Sequence, residues 1–217
     1  MLNNALEDKM MTQAAHFMVV DKDRIRTQQA VNSIFNSCTY ILSQGGETWL
    51  VDCGDLDQIL SRIDGKLRGV LLTHTHFDHI YGLNHLLALF PDITIVTNES
   101  GREGLLSDKL NFSRYHEEPF ILDTPENVKL VSDGELIPLY DNVSARAVYT
   151  PGHSPSCVTW IVDDLIFTGD SYIPGVKTVT NFPHANKEQA AQSEALIKRL
   201  AESRRICPGH ATQFENL

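Results

Sequence analysis

The 217-residue sequence predicts an α/β domain with β-sheets in the middle and helices outside. Three observations carry that expectation. Short β-type runs alternate with stretches of helical periodicity. A Gly-Gly pair joins two neighbouring runs as an antiparallel hairpin. The balance of 42% hydrophobic to 21% charged residues is that of an ordinary globular protein with a substantial core.

The chain shows no repeat, low-complexity tract or linker. Residues 1–14 read as a polar tail, with Met11 an alternative start, and residues 15–217 as a single domain. Residues 16–20, 38–42 and 48–52 have strand character, with Gly45 and Gly46 turning between the last two. A short helix follows at residues 55–63, where Leu56, Ile59, Leu60 and Ile63 share one face. Asp55 and Gln58 there have the spacing of a capping box. Residues 69–73 form an apolar run of buried-strand length. Residues 78–90 place Ile80, Leu83, Leu87 and Phe90 on one helical stripe that Pro91 ends.

A strand at 93–97 comes next, then a helix and loop over residues 101–119. Further strands are expected at 128–131, 145–150, 157–162 and 165–168. Asn186 caps the last helix, with Gln189 completing a capping box and Ala190, Ile197, Leu200 and Ala201 facing inward. Residues 205–207 make a final short strand before Pro208.

The net charge of −10 argues against a general nucleic-acid surface, which leans on clustered Lys and Arg. No run approaches the ~18 apolar residues of a membrane span. The stretch up to Ala15 lacks the apolar segment of a signal peptide, so a cytoplasmic location is expected. Cys38, Cys53, Cys157 and Cys207 form no CxxC pair and are expected as free thiols.

Chemistry concentrates in residues 73–79, Thr-His-Thr-His-Phe-Asp-His. His74 and His76 point the same way in extended backbone, while Asp78 and His79 open the next element. Three later turns each add one ligand type: Thr-Pro-Gly-His153, Thr-Gly-Asp170 and Pro-Gly-His210. In each, glycine relaxes the backbone just before the ligand. These four segments hold five of the nine histidines, which a solvated surface does not explain, and together they read as one metal site.

This pattern resembles the metallo-β-lactamase superfamily, especially its glyoxalase II-like branch, and Val51-Asp52-Cys53-Gly54 resembles that family's turn. The resemblance runs from about Cys38 to His210. It implies an αββα sandwich of two mixed β-sheets flanked by helices, with the site at one edge. It further implies that His74, His76 and His153 hold one metal, that Asp78, His79 and His210 hold a second, and that Asp170 bridges them. Zinc suits the histidine-rich side, and the carboxylates make iron or manganese acceptable.

The activity so implied is a binuclear metallohydrolase acting on a small thioester, ester, lactone or amide, with glyoxalase II-like hydroxyacyl-thioester hydrolysis leading. Full-length glyoxalase II enzymes carry a C-terminal helical extension that recognises glutathione, and this sequence stops seven residues after His210. A mononuclear iron persulfide dioxygenase and a phosphodiesterase of the same fold are the alternatives. Asp78 has two candidate roles, ligand and acceptor of the nucleophile's proton, with ligand favoured. Asp52 either orients a metal-binding histidine or caps backbone amides. Tyr172 and Lys177, in the loop after Asp170, are candidates for the substrate's polar end. His184 reads as a loop residue, His85 as structural, and His16 and His116 as surface or packing residues.

Overall fold

A computed structural model describes residues 24–211. The strand expected at residues 16–20 and the tail at 1–14 lie outside them. The Gly45-Gly46 turn joins β2 (Cys38–Gln44) to β3 (Glu47–Val51), and β1 (Arg26–Val31) pairs antiparallel with the free side of β2. Three parallel strands extend this sheet: β4 (Lys66–Leu71), β5 (Thr94–Thr97) and β6 (Val128–Leu130). Parallel strands need crossovers. Here α1 (Leu56–Leu60), α2 (Leu83–Leu89) and α3 (Glu99–Leu105) lie in those connections.

The second sheet has the order β11-β10-β9-β8-β7. It comprises β7 (Leu136–Tyr140), β8 (Val143–Tyr149), β9 (Val158–Val162), β10 (Leu165–Gly169) and β11 (Arg205–Pro208), with α4 (Lys187–Leu200) crossing over to β11. The β10–β11 pair is parallel and the others are antiparallel.

Three apolar layers give the αββα order. Leu42, Val51, Leu71, Trp160 and Phe167 fill the space between the sheets. Ile59, Leu83, Leu86 and Leu105 cover the outer face of the first sheet. Ile197 covers the outer face of the second, against Ile161 and Ile166. Each fully buried large apolar side chain contributes ~1.5–3 kcal/mol. Buried aromatic polar groups find carbonyls across the sandwich: Trp49 Nε1 donates to Leu139 O (3.1 Å), Trp160 Nε1 to Leu72 O (2.9 Å) and Tyr140 Oη to Leu42 O (2.6 Å). These bonds fix how the two sheets face each other.

Several expectations are corrected. The helix foreseen over residues 78–90 is split into a 3₁₀ turn, Phe77–His79, and α2. The apolar stripe is buried as expected, but the first turn is diverted to aim Asp78 and His79 at the site. The helix at 55–63 shortens to α1, and the Asp55 carboxylate does not cap it. It accepts instead from Ser33 N (2.7 Å), Ser33 Oγ (2.9 Å) and Tyr81 Oη (2.5 Å). At α4, Asn186 Oδ1 accepts from the amides of Glu188 and Gln189, both 3.0 Å. The Asn186 amide goes to Gly152 O (2.7 Å) rather than back to Gln189, so the cap also ties the helix to the His153 turn. Strands β1 and β7 were not foreseen. β7 contains Pro138, which the free edge of a sheet tolerates.

Among the described residues, no helix is long and apolar enough to cross a membrane.

Candidate metal centre

Four strand ends meet at one edge of the sandwich. The segment after β4 supplies His74, His76, Asp78 and His79; the turns after β8, β10 and β11 supply His153, Asp170 and His210. All seven predicted side chains converge in overlapping groups: His74 with His76 and His153, His74 with His79 and Asp170, and Asp78 with His79 and His210. Within each group the nearest donor atoms lie within 4.8 Å of one another.

His76 Nδ1 and His153 Nε2 are 2.9 Å apart. Asp78 Oδ2 lies 3.3 Å from Nε2 of both His79 and His210. Asp170 stands between the groups, with Oδ1 3.5 Å from His79 Nε2 and Oδ2 3.5 Å from His153 Nε2 and 3.3 Å from His210 Nε2.

The outer nitrogens are anchored. Nδ1 of His79 donates to Asp52 Oδ2 (2.9 Å), of His153 to Val179 O (2.9 Å) and of His210 to Phe35 O (2.9 Å). Nδ1 of His74 meets Thr73 Oγ1 at 3.2 Å. Such anchors orient the ring so that Nε2 faces the centre. Asp52 serves both roles considered for it. Besides holding His79, it accepts from the amide and hydroxyl of Thr73, each at 2.7 Å. It does so from a left-handed backbone conformation, φ 59°.

Two glycines make the convergence sterically possible. Gly152 adopts φ 138°, and a Cβ there would strike Ala190 at the start of α4. A Cβ on Gly209 would overlap the Asp170 carboxylate.

Electrostatics divide the centre. Burial, reinforced by neighbouring imidazoles, pushes His74 well below its ordinary pKa and His76 down to about 3. Burial opposes charge on His79 and His210 too, but Asp78, Asp52 and Asp170 raise the first well above its ordinary value and Asp170 raises the second. Against its own burial, Asp170 is held far below the usual carboxylate range by His210, His79 and His74, and Asp78 is lowered by His79 and His210.

The residues fit metal ions. His74 Nε2 and Asp170 Oδ1 are buried with no hydrogen-bond partner, a costly arrangement unless a cation completes it. The set of imidazoles and carboxylates is the one borderline divalent cations prefer.

Other candidates fall elsewhere. Tyr172 is turned away from the centre: its ring packs with the outer cluster beneath α4, 5.4 Å from Lys198 Nζ. Lys177 is exposed on the loop after Asp170. His184 is exposed but lines a cavity beside His76, His85 is exposed, and the His116 ring packs 4.2 Å from Phe77. The four cysteines are buried, and burial pushes the Cys157 thiol up to about 12.

Two residues beside the centre were missed from sequence. Phe112 lies 4.9 Å from the His76 ring and 5.3 Å from Phe182, which itself flanks His76 and His153. Both sit in loops without periodicity, so hydropathy carried no signal for them.

A family model of the metallo-beta-lactamase superfamily matches residues 34–210. The chain belongs to this superfamily. Among curated relatives, an atrochrysone carboxyl ACP thioesterase of Aspergillus fumigatus is 29% identical over 189 residues, covering 82% of this chain and 52% of the relative. A hydroxyacylglutathione hydrolase of Buchnera aphidicola is 26% identical over 181 residues, 82% of this chain and 62% of that one. The chain thus spans between about half and three-fifths of the length of these curated relatives. The crystal structure of BLEG-1 B3 metallo-beta-lactamase superposes with a TM-score of 0.73 at 22% identity, covering 86% of this chain and 92% of that one. At that identity the likeness is one of fold.

Proposed function

We propose that this chain is a metal-dependent hydrolase of a small thioester, ester, lactone or amide, with hydroxyacyl-thioester hydrolysis of the glyoxalase II kind as the leading reaction. The observation that carries the reading is the seven-ligand convergence around two buried, unpartnered acceptors, His74 Nε2 and Asp170 Oδ1. In support, relatives named as a thioesterase and a hydroxyacylglutathione hydrolase cover 82% of the chain.

In this reading His74, His76 and His153 would hold one divalent cation and Asp78, His79 and His210 another, with Asp170 available to both. Zinc is the expected metal, with iron or manganese acceptable to the carboxylates. Bound there, the pair supplies Lewis acidity and lowers the pKa of water from about 15.7 towards about 7, making hydroxide available at neutral pH.

The chain's own groups do the rest. Asp52 and the carbonyls of Val179 and Phe35 fix three imidazoles through Nδ1, so their Nε2 atoms are held facing the centre. Asp170 stays ionised, because three imidazoles hold its carboxyl low. Asp78 is also held low, which favours its role as a ligand over that of a proton acceptor. The Phe112–Phe182 pair shields the His76 side from water. Lys177, exposed on the neighbouring loop, is the candidate for the substrate's polar end, and Tyr172, facing away, is not.

The test is anaerobic purification with elemental analysis, followed by ester, thioester and phosphodiester panels. Two metals per chain with ester or thioester turnover is the expected result. A single iron with oxygen uptake would overturn it in favour of a persulfide dioxygenase. Turnover confined to phosphodiesters would reassign the substrate class.

A further inference from the structure

Beside His76 lies a cavity of about 150 Å³ that the metal ligands do not fill. Its floor is made of small hydroxyl side chains already bonded to one another. Ser154 Oγ meets Ser156 Oγ at 2.8 Å, and Thr75 Oγ1 donates to Ser156 Oγ at 3.2 Å. Gly104 lets α3 close against this floor, since a Cβ there would overlap Thr75 Oγ1. Leu110, Phe112 and Pro155 form apolar walls, Glu103 and His184 add a carboxylate and an imidazole to the lining, and one face is the imidazole of His76 itself.

Phe112 is held in an unusual way. Its backbone is left-handed, φ 63°, a conformation a bulky side chain adopts only when its surroundings impose it. The neighbouring Asn111 imposes it. Asn111 is buried and donates through Nδ2 to the carbonyls of Gly104 and Phe120, both 3.0 Å, while its Oδ1 accepts from Ser113 N (2.9 Å). Its own carbonyl accepts from the amide of Phe77, inside the ligand motif. The Phe112 ring is thereby fixed at the cavity wall beside His76, with its other ring contact to Phe182.

We propose that this cavity is the acyl pocket of the hydrolase and that Phe112 and Leu110 set its length limit. A void of this size admits a group as large as benzene, about six non-hydrogen atoms, whereas pockets for drug-sized ligands begin near ~300 Å³. The acyl half of the substrate is therefore short, and the leaving thiol or alcohol lies outside. The inference rests on the hydrolase reading for its chemistry. In that reaction water's oxygen joins the acyl carbon, the bond to the leaving sulfur or oxygen breaks, and the products are a carboxylic acid and a thiol or alcohol.

The experiment measures kcat/KM for p-nitrophenyl acetate, butyrate, hexanoate and octanoate. In parallel, calorimetry follows binding of the four free carboxylates to the metal-loaded protein. Wild-type protein, Phe112→Ala and Leu110→Trp are compared, each checked for metal content. In the wild type, kcat/KM and carboxylate affinity should fall by about tenfold or more between the butyryl and octanoyl members. Phe112→Ala should move that fall to longer chains and Leu110→Trp to shorter ones, at unchanged metal content. A flat wild-type profile, or an identical profile in both metal-replete variants, overturns the proposal. If no ester turns over but the carboxylates bind with the same cut-off and the same shifts, the hydrolase reading fails and the pocket stands. Loss of the cut-off in binding as well removes the pocket.

Discussion

The two ends of the candidate metal centre are built on different principles. At the inner end, His74, His76 and His153 are deeply buried imidazoles, and burial keeps His74 and His76 neutral. At the outer end, Asp78 joins His79 and His210, carboxylates raise the pKa of both imidazoles, and His210 is one-fifth exposed. A proton and a metal compete for the same lone pair. His74 and His76 are thus offered already free of protons, while the outer end offers charge where water can still help to carry it. Asp170 touches both ends, and its low pKa supplies the anion they share.

Mutations can break or sharpen this contrast. Asp170→Ala should act on both ends at once. Metal content and turnover should fall together, turnover by about 10³-fold or more, given that removing one preorganised electrostatic group costs ~10²–10³ and here ligation is lost too. Elemental analysis with steady-state kinetics checks this, and unchanged turnover would contradict the mechanism.

Gly209→Ala should come next. The new methyl would overlap the Asp170 carboxylate and also come within 2.7 Å of the Gly169 backbone carbon, so both the carboxylate and the turn must shift. A misplacement of about 1 Å costs ~100-fold in rate, so activity should drop by about that factor while the melting temperature also falls, as kinetics run beside thermal melts would show.

Asp52→Asn should be selective. It weakens the anchor of His79, and loss of such a partner costs ~10–100-fold in metal affinity. The outer ion should therefore become easier to remove than the inner one during a chelator titration. Equal loosening of both would mean that the two ends are not distinct.

The smallest effects belong to the loop after Asp170. Tyr172→Phe should leave kcat/KM within about twofold, as expected for a change away from the reacting groups. Lys177→Ala should raise KM several-fold with metal content intact. A silent Lys177→Ala would remove that residue from substrate recognition.

Much of the centre was legible because its ligands are encoded locally. Thr-His-Thr-His-Phe-Asp-His sits where a buried strand ends, and the three single-ligand turns repeat the same strand-then-glycine grammar. The two roles of Asp52, orienting a histidine and capping amides, were legible only as alternatives. That one carboxylate fills both depends on how β3 lies against β4. The continuous helix expected over residues 78–90 shows the opposite case. Hydrophobic periodicity reported the buried stripe correctly, but it is blind to a break that redirects two polar side chains. Likewise Pro138 masked β7, because whether a proline is tolerated depends on the strand lying at an edge.

Most of the elements, the candidate donors, their grouping through the family resemblance and the family itself were written in the sequence, because they follow from residue types at short spacing. The distances among those donors, the edge strands β1 and β7, and the cover that Phe112 and Phe182 give His76 were decided by tertiary packing. Those relations join residues from loops far apart in the chain. A buried asparagine, a left-handed backbone and the mutual bonds of the two sheets bring them together, and none of these leaves a periodic trace along the polypeptide.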